Sequence, residues 1–270
     1  MKAIDKDITK ASTLPGSFYQ SQHLFEKSKE QIFARTWQIV GDNSNLKLSN
    51  NAQPFKFMSG FIDEPLLLIC DNEYNVNCFS NVCTHRGNLL VENNCIVKKD
   101  ITCKYHGRRF TTCGKFLSMP ETNGMKNFPT EQDNLTKVPL QKWKQFLFSS
   151  LEPSNLLSDF ISEMEERVGW MPIEDFIYDP NSSREYLVKA NWALYCDNYL
   201  EGFHIPFIHK DLAKTLDYSK YNTEIYSYSN LQLGVASGGE HCFDLPTDSI
   251  DYGKQIAAYY FWVFPNMMFN

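Results

Sequence analysis

Cys83-Thr84-His85-Arg86-Gly87 and Cys103-Lys104-Tyr105-His106-Gly107 are the two stretches on which the reading of this chain turns. Each offers one thiol, one imidazole and a glycine at the end, and seventeen residues separate His85 from Cys103. A 2Fe-2S cluster of mixed ligation needs two thiolates on one iron and two imidazoles on the other, the neutral histidines raising its potential above that of an all-cysteine cluster. Two loops that each carry a Cys and a His can clasp such a cluster from opposite sides, and the glycines permit the tight turns this requires. Zinc also accepts two cysteines and two histidines, but its sites usually keep like ligands together, cysteines first and histidines after. Buried thiols and core histidines are the plain alternative. The mixed pairing favours iron-sulfur.

Outward from these loops, 270 residues suffice for one large domain or two modest ones. A net charge of -6 without a dense Lys/Arg cluster leaves no electrostatic footprint for nucleic acid or anionic lipid. No apolar run reaches the roughly 18 residues of a membrane span. The first twelve residues lack a secretion-signal layout, so the cytoplasm is the expected compartment. Disulfides are disfavoured there, and the eight cysteines read as free thiols or ligands.

Residues 1–37 form an N-terminal segment whose Leu24, Phe25, Ile32 and Phe33 recur at helical spacing, which predicts a helix over 21–37. From 38 to 152 short apolar or alternating runs at 66–70 and 76–79, broken by Asp71-Asn72, predict a small all-β domain. A second, α+β domain is read over 153–270. Asp159 is placed to cap a helix lined by Phe160, Ile161, Met164 and Val168, with Gly169 at its end. A strand at 185–189, a helix from 193 to 204, an alternating stretch over 224–235 and an apolar run over 256–264 follow.

The helix at 193–204 leads into a second constellation, Asp197-Asn198-Tyr199-Leu200-Glu201-Gly202-Phe203-His204, with His209 five residues further on. On an unbroken helix two side chains five apart diverge by about 140°. Pro206 lies between them and distorts or ends a helix, which would let His209 swing back toward a metal that His204 faces. Two imidazoles and a carboxylate with open positions suit non-haem Fe(II) and O2. Glu201, one helical turn before His204, shares its face. Taken alone, a pair of histidines at this spacing is a weak signal and is more often a pair of surface or core residues.

Together the two constellations, in this order, resemble the α-subunits of Rieske non-haem iron oxygenases, the aromatic-ring-hydroxylating dioxygenase family, over nearly the whole chain. Asn88 and Tyr105 stand where the disulfide-braced, high-potential Rieske proteins carry two further cysteines, so the loops resemble the lower-potential oxygenase type. Lys104 and Arg108 depart from that type, which usually has Pro and Trp there. The resemblance implies a 2Fe-2S cluster on Cys83, His85, Cys103 and His106, a mononuclear Fe(II) on His204 and His209, and a catalytic domain built on an antiparallel sheet.

It further implies a reductase or ferredoxin as electron donor, a homotrimer, and O2-dependent hydroxylation or demethylation of a small aromatic or quaternary ammonium substrate. By motif position Glu201 would bridge His204 to the cluster ligand His106 of a neighbouring subunit. Glu, where many ring dioxygenases have Asp, is closer to the choline and carnitine monooxygenase type. A quaternary ammonium would want an aromatic cage, for which Tyr195, Tyr199, Phe203, Tyr228, Tyr259, Tyr260, Phe261 and Trp262 are available, although most are expected in the core. The family's third iron ligand is an Asp far beyond the second histidine. Only 61 residues follow His209, and none of Asp211, Asp217, Asp244, Asp248 or Asp251 sits at the family's position. The expected reading is a fragment whose catalytic domain lacks its C-terminal part. The alternative is a Rieske electron carrier with a vestigial or truncated catalytic domain and no oxygenase activity.

Overall fold

Leu66, Leu67, Leu68 and Ile69 are apolar without alternation, as in a strand covered on both faces. All four are fully buried in the computed structural model, which describes residues 4–238 and 242–270, the side chain of Lys210 apart. The first three of the twelve N-terminal residues read above lie outside the described residues. The strand Glu64–Cys70 is the middle of a five-stranded antiparallel sheet, flanked by Asn51–Phe57 and Val76–Ser80, with Cys95–Ile96 and Lys137–Val138 at the edges. Successive strand residues point to opposite faces. Leu67 and Ile69 therefore join one core with Phe79, Cys83, Cys103 and Phe110, while Leu66 and Leu68 join another with Phe57, Val138 and Leu147. Both cysteine loops belong to the first of these cores.

A second sheet pairs Phe146–Ser149 with Gln38–Asp42 and Leu140–Trp143, and a third, small one is built from Ile101–Thr102, Arg109–Phe110 and Phe116–Ser118. The loop carrying Cys103 and His106 is the hairpin connection within this last sheet. These strands make up one compact unit, Phe33–Ser154. The other consists of Met1–Ile32 with Asn155–Asn270.

In that other unit the helix Ser158–Val168 buries Phe160, Ile161, Met164 and Val168, as their spacing predicts. Asp159 is not its cap. It lies within the first turn, and its carboxylate accepts the Leu156 N–H at 3.1 Å. Behind the helix stands a four-stranded antiparallel sheet in the order Asn222–Ile225, Ser229–Val235, Ile256–Val263, Met267–Phe269. The alternating stretch over 224–235 is thus a hairpin rather than one strand, closed where the Tyr226 N–H meets the Ser229 carbonyl at 2.9 Å. Arg167 ties helix to sheet. Its guanidinium donates twice to the fully buried Asp251 at 2.7 Å and pairs with Glu224, and Lys254 and the Tyr259 hydroxyl reach the same Asp251.

Three expectations fail for local reasons. The 185–189 segment has strand-like residues but forms no ladder, and its Leu187 is 107% exposed. Extended propensity without a partner does not make a strand. The N-terminal helix is shorter than 21–37: Ser21 caps Gln22–Ser28, a π-helical turn over Lys29–Phe33 follows, and the strand Gln38–Asp42 comes next. The helix expected to run to 204 stops early, as Trp192–Tyr199. Among the described residues no helix is long and apolar enough to cross a membrane.

Candidate functional site

The two cysteine loops are the same turn formed twice. The Cys83 N–H donates to the Asn88 carbonyl at 2.8 Å and the Cys103 N–H to the Arg108 carbonyl at 2.7 Å. Each turn is closed again by its glycine, Gly87 N–H to the Cys83 carbonyl and Gly107 N–H to the Cys103 carbonyl, both at 3.0 Å. The glycines have φ of +70° and +69°, the left-handed region in which a side chain is strained.

Both cysteines are buried, at 3% and 2% exposure, and their thiols lie within hydrogen-bonding reach of each other. The His85 and His106 rings meet edge to face, 4.8 Å between centroids, with His85 exposed. His106 Nδ1 is buried and has no hydrogen-bond partner. An orphaned ring nitrogen beside paired thiols fits a cluster that takes sulfur on one side and imidazole on the other. Burial pushes the Cys83 thiol up, opposed by a hydrogen bond from the His85 backbone and by the positive charge of Arg108. Partial desolvation, with the charges of His106, Arg86 and Arg108, holds His85 below its ordinary value and so in the neutral form that binds metal. All the cysteines are free. Asn88 contributes its carbonyl to the first loop, and Tyr105 lies tilted against His106, 3.8 Å between centroids.

The second group comes together by a route other than a continuous helix. After Tyr199 the chain turns at Leu200, and Glu201 reaches forward. Its Oε2 accepts the N–H groups of Phe203 at 2.5 Å and His204 at 3.3 Å, and its Oε1 lies 2.5 Å from His204 Nδ1. Burial pushes the Glu201 carboxyl up, but its hydrogen bonds from His204 and Phe203 outweigh this and its value is lowered. Gly202 permits the turn, because a Cβ there would lie 2.7 Å from the Tyr221 ring. Pro206 does not break a helix. It sits in the first turn of the short helix Ile205–Ile208, where its missing N–H costs nothing. The chain bends at His209, φ -106° and ψ 65°, before the next helix, Lys210–Thr215. The His204 and His209 rings consequently meet edge to face, 5.1 Å between centroids.

With its Nδ1 on Glu201, His204 keeps Nε2 for a metal, and His209 supplies a second imidazole. These two fit an iron as part of a donor set. Among the described residues no group of three or more His, Cys, Asp or Glu side chains is placed to hold a single metal ion. Three of the candidate aspartates are engaged elsewhere: Asp211 pairs with Lys214, Asp217 accepts from Ser219 and pairs with Lys220, and Asp251 binds Arg167.

A cavity of about 190 Å³ lies at the two histidines, lined also by Glu201, Tyr199, Tyr221 and Tyr260. A larger one, about 800 Å³, shares Glu201 and Tyr221 and takes in Phe203, Tyr228 and Trp262. Of the remaining aromatic candidates, Tyr259 and Phe261 are core residues and Tyr195 is exposed. The sequence reading missed Tyr221 and Gln232. Gln232 donates to the Tyr199 carbonyl at 2.5 Å and accepts from the Tyr221 hydroxyl at 2.9 Å, so it holds two walls of the smaller cavity. The alternation of Leu231, Gln232 and Leu233 reads as a strand with Gln232 on an open face, and its burial is evident only in the structure.

Residues 36–129 match the family model described as the Rieske [2Fe-2S] domain, and residues 169–270 match that of the ring hydroxylating alpha subunit catalytic domain. The carnitine monooxygenase oxygenase subunit of Acinetobacter pittii is 30% identical, the match covering 96% of this chain and 68% of that protein. Chloroplastic choline monooxygenase of Arabidopsis thaliana is 28% identical over 97% of this chain and 62% of its own length. This chain therefore spans about two thirds of the length of such relatives. A crystal structure of the quaternary ammonium Rieske monooxygenase CntA aligns with a TM-score of 0.75 at 26% identity, covering 96% of this chain and 68% of that one. Naphthalene 1,2-dioxygenase, at 18% identity and a TM-score of 0.61, shares the fold. Twin Cys-His turns in the first matched region, and paired histidines braced by a glutamate in the second, agree with these similarities, and the chain belongs to the Rieske non-haem iron oxygenase α-subunits.

Proposed function

We propose that this chain is the oxygenase subunit of a monooxygenase that hydroxylates or demethylates a small quaternary ammonium compound. Cys83, His85, Cys103 and His106 would hold the 2Fe-2S cluster, and His204 and His209 two positions of a mononuclear Fe(II). When bound, the cluster supplies single electrons from a reductase or ferredoxin, and the iron supplies the activation of O2. Glu201 fixes the tautomer and orientation of His204 by accepting from Nδ1, the outer-sphere arrangement that makes an imidazole a better ligand. In a homotrimer the same carboxylate would face the His106 of a neighbouring subunit and complete the path between the metals. The cytoplasm is the compartment we assign, in keeping with cysteines that are all free.

The observation that carries the reading is the meeting of His204 and His209 beside Glu201, in the same chain as the twin Cys-His turns. The substrate class rests on the names of the relatives and on the cavity at the histidines. Tyr199, Tyr221 and Tyr260 line it with the ionised Glu201, and aromatic faces with a nearby anion suit a cation that cannot donate a hydrogen bond.

The test is anaerobic reconstitution with iron and sulfide. The chain is expected to show the electron paramagnetic resonance of a reduced Rieske cluster and, with nitric oxide, a separate Fe(II)-nitrosyl signal. His204→Ala should abolish the second signal and keep the first. A cluster with no nitrosyl signal in the unaltered chain would make it an electron carrier instead, and bleaching of the cluster by His204→Ala would refute the division of histidines into two sites.

A further inference from the structure

Arg108 follows directly on the second cluster turn, yet its side chain is only 4% exposed. A guanidinium buried that deeply requires a partner, and it has one from a third segment of the chain. Its terminal nitrogen donates to the Asp133 carboxylate at 2.6 Å and to the Asp133 carbonyl at 3.1 Å. The cation stands over the Phe116 ring at 4.7 Å, with Phe110 and Phe128 within 6 Å, and its Nε is buried without a partner. Asp133 is fixed in turn. Its other carboxylate oxygen accepts the Thr130 N–H at 2.7 Å and the Thr130 hydroxyl at 3.1 Å.

The carbonyl of Asp133 has a second donor. Thr84, between Cys83 and His85, gives it a hydrogen bond of 2.9 Å from its hydroxyl. One carbonyl oxygen therefore receives a bond from each ligand-bearing turn, Thr84 from the first and Arg108 from the second. We infer that Asp133 and Arg108 form a clasp that positions both cluster turns, and that their charges, the guanidinium buried and the carboxylate partly so, set the potential of the cluster held there. The inference rests on the reading of these turns as a cluster site. It gives the turns a non-covalent brace where Asn88 and Tyr105 rule out a disulfide. It also makes the two charges act oppositely on a couple whose reduced form carries one more negative charge.

The full chain is reconstituted as above, and the potential is read by dye-mediated titration of the reduced-cluster resonance. Cluster loss is followed as bleaching under an iron chelator. Arg108→Gln leaves an unbalanced carboxylate and should shift the reduction equilibrium about tenfold toward the oxidised form, about 59 mV for one electron. Asp133→Asn leaves an unbalanced guanidinium and should shift it the other way. Arg108→Lys keeps the charge without the fork, and Thr84→Val removes only the tether of the first turn. Both should leave the potential near that of the unaltered chain and speed cluster loss by about tenfold. Potential shifts of the same sign in Arg108→Gln and Asp133→Asn, or cluster loss unchanged in Thr84→Val and Arg108→Lys, would overturn the clasp while leaving the cluster reading intact. Absence of the resonance from the unaltered chain would overturn both.

Discussion

Replacing Glu201 with glutamine exchanges one hydrogen-bond acceptor for a donor at a place where three donors converge. The carboxylate accepts from His204 Nδ1 with one oxygen and from the N–H groups of Phe203 and His204 with the other. A glutamine that turns its carbonyl to the ring points its NH2 at two N–H donors. One that turns its carbonyl to the backbone points its NH2 at Nδ1, which must then give up its proton and pass it to Nε2, the nitrogen left for a metal. Neither orientation keeps all three bonds. Hydrogen bonds to charged groups contribute about 1.5–3 kcal/mol. Because the Glu201 side chain is 34% exposed, screening reduces this to about 1–2 kcal/mol. That corresponds to Fe(II) affinity weaker by about 5- to 30-fold. Anaerobic Fe(II) titration read by the nitrosyl signal gives the dissociation constant, and cluster content serves as the internal control. An Fe(II) affinity equal to that of the unaltered chain would refute the role assigned to Glu201.

Asp251→Asn leaves Arg167 buried with Glu224 as its remaining anion and should lower stability by about 3–5 kcal/mol, measured by urea denaturation. Acid should act through the same group. Burial raises the Asp251 carboxyl, but Lys254, Arg167 and Tyr259 outweigh this and hold it below 3.8, so its stabilisation is complete above that value and lost as pH falls through the lower folded value. Denaturation midpoints between pH 5 and pH 2 should accordingly fall less steeply in Asp251→Asn. Gly114→Ala would place a Cβ 2.5 Å from the Phe79 ring at a φ of +79° and should cost about 1–3 kcal/mol. Phe79 packs in the core that holds Cys83 and Cys103, so faster cluster bleaching should accompany the loss of stability.

What could be read from the sequence follows how local the cause is. Cys83, His85, Cys103 and His106 stand out because the cluster proposed for them demands particular atoms, and the twin turns that carry them are made by bonds within five residues. The Ser158–Val168 helix was legible for the same reason, its buried face following from four apolar residues at a regular spacing. The approach of His209 to His204 was expected, but through the wrong residue. Pro206 reads as a breaker only if the helix precedes it, and whether a helix precedes or follows a proline is decided by residues 200–203. There Gly202 yields to the ring of Tyr221, nineteen residues away in sequence. The segment at 185–189 and the partner of Arg108 stayed hidden on similar grounds. A ladder partner and a counter-ion both come from parts of the chain that no periodicity points to.

The division of the chain also orders its birth on the ribosome. Phe33–Ser154 is continuous and can fold as soon as it emerges, as domains generally do. The unit that holds Glu201, His204 and His209 cannot. Its first 32 residues are made before that continuous domain, and the rest after it. Tyr19 must wait for Asp197, 178 residues later, and Arg167 for Asp251, 84 residues later. A nascent chain halted before residue 251 would carry a finished cluster domain beside a helix whose arginine still lacked its main counter-ion. Such a chain could take up the proposed cluster while the unit that holds His204 and His209 was still unfolded.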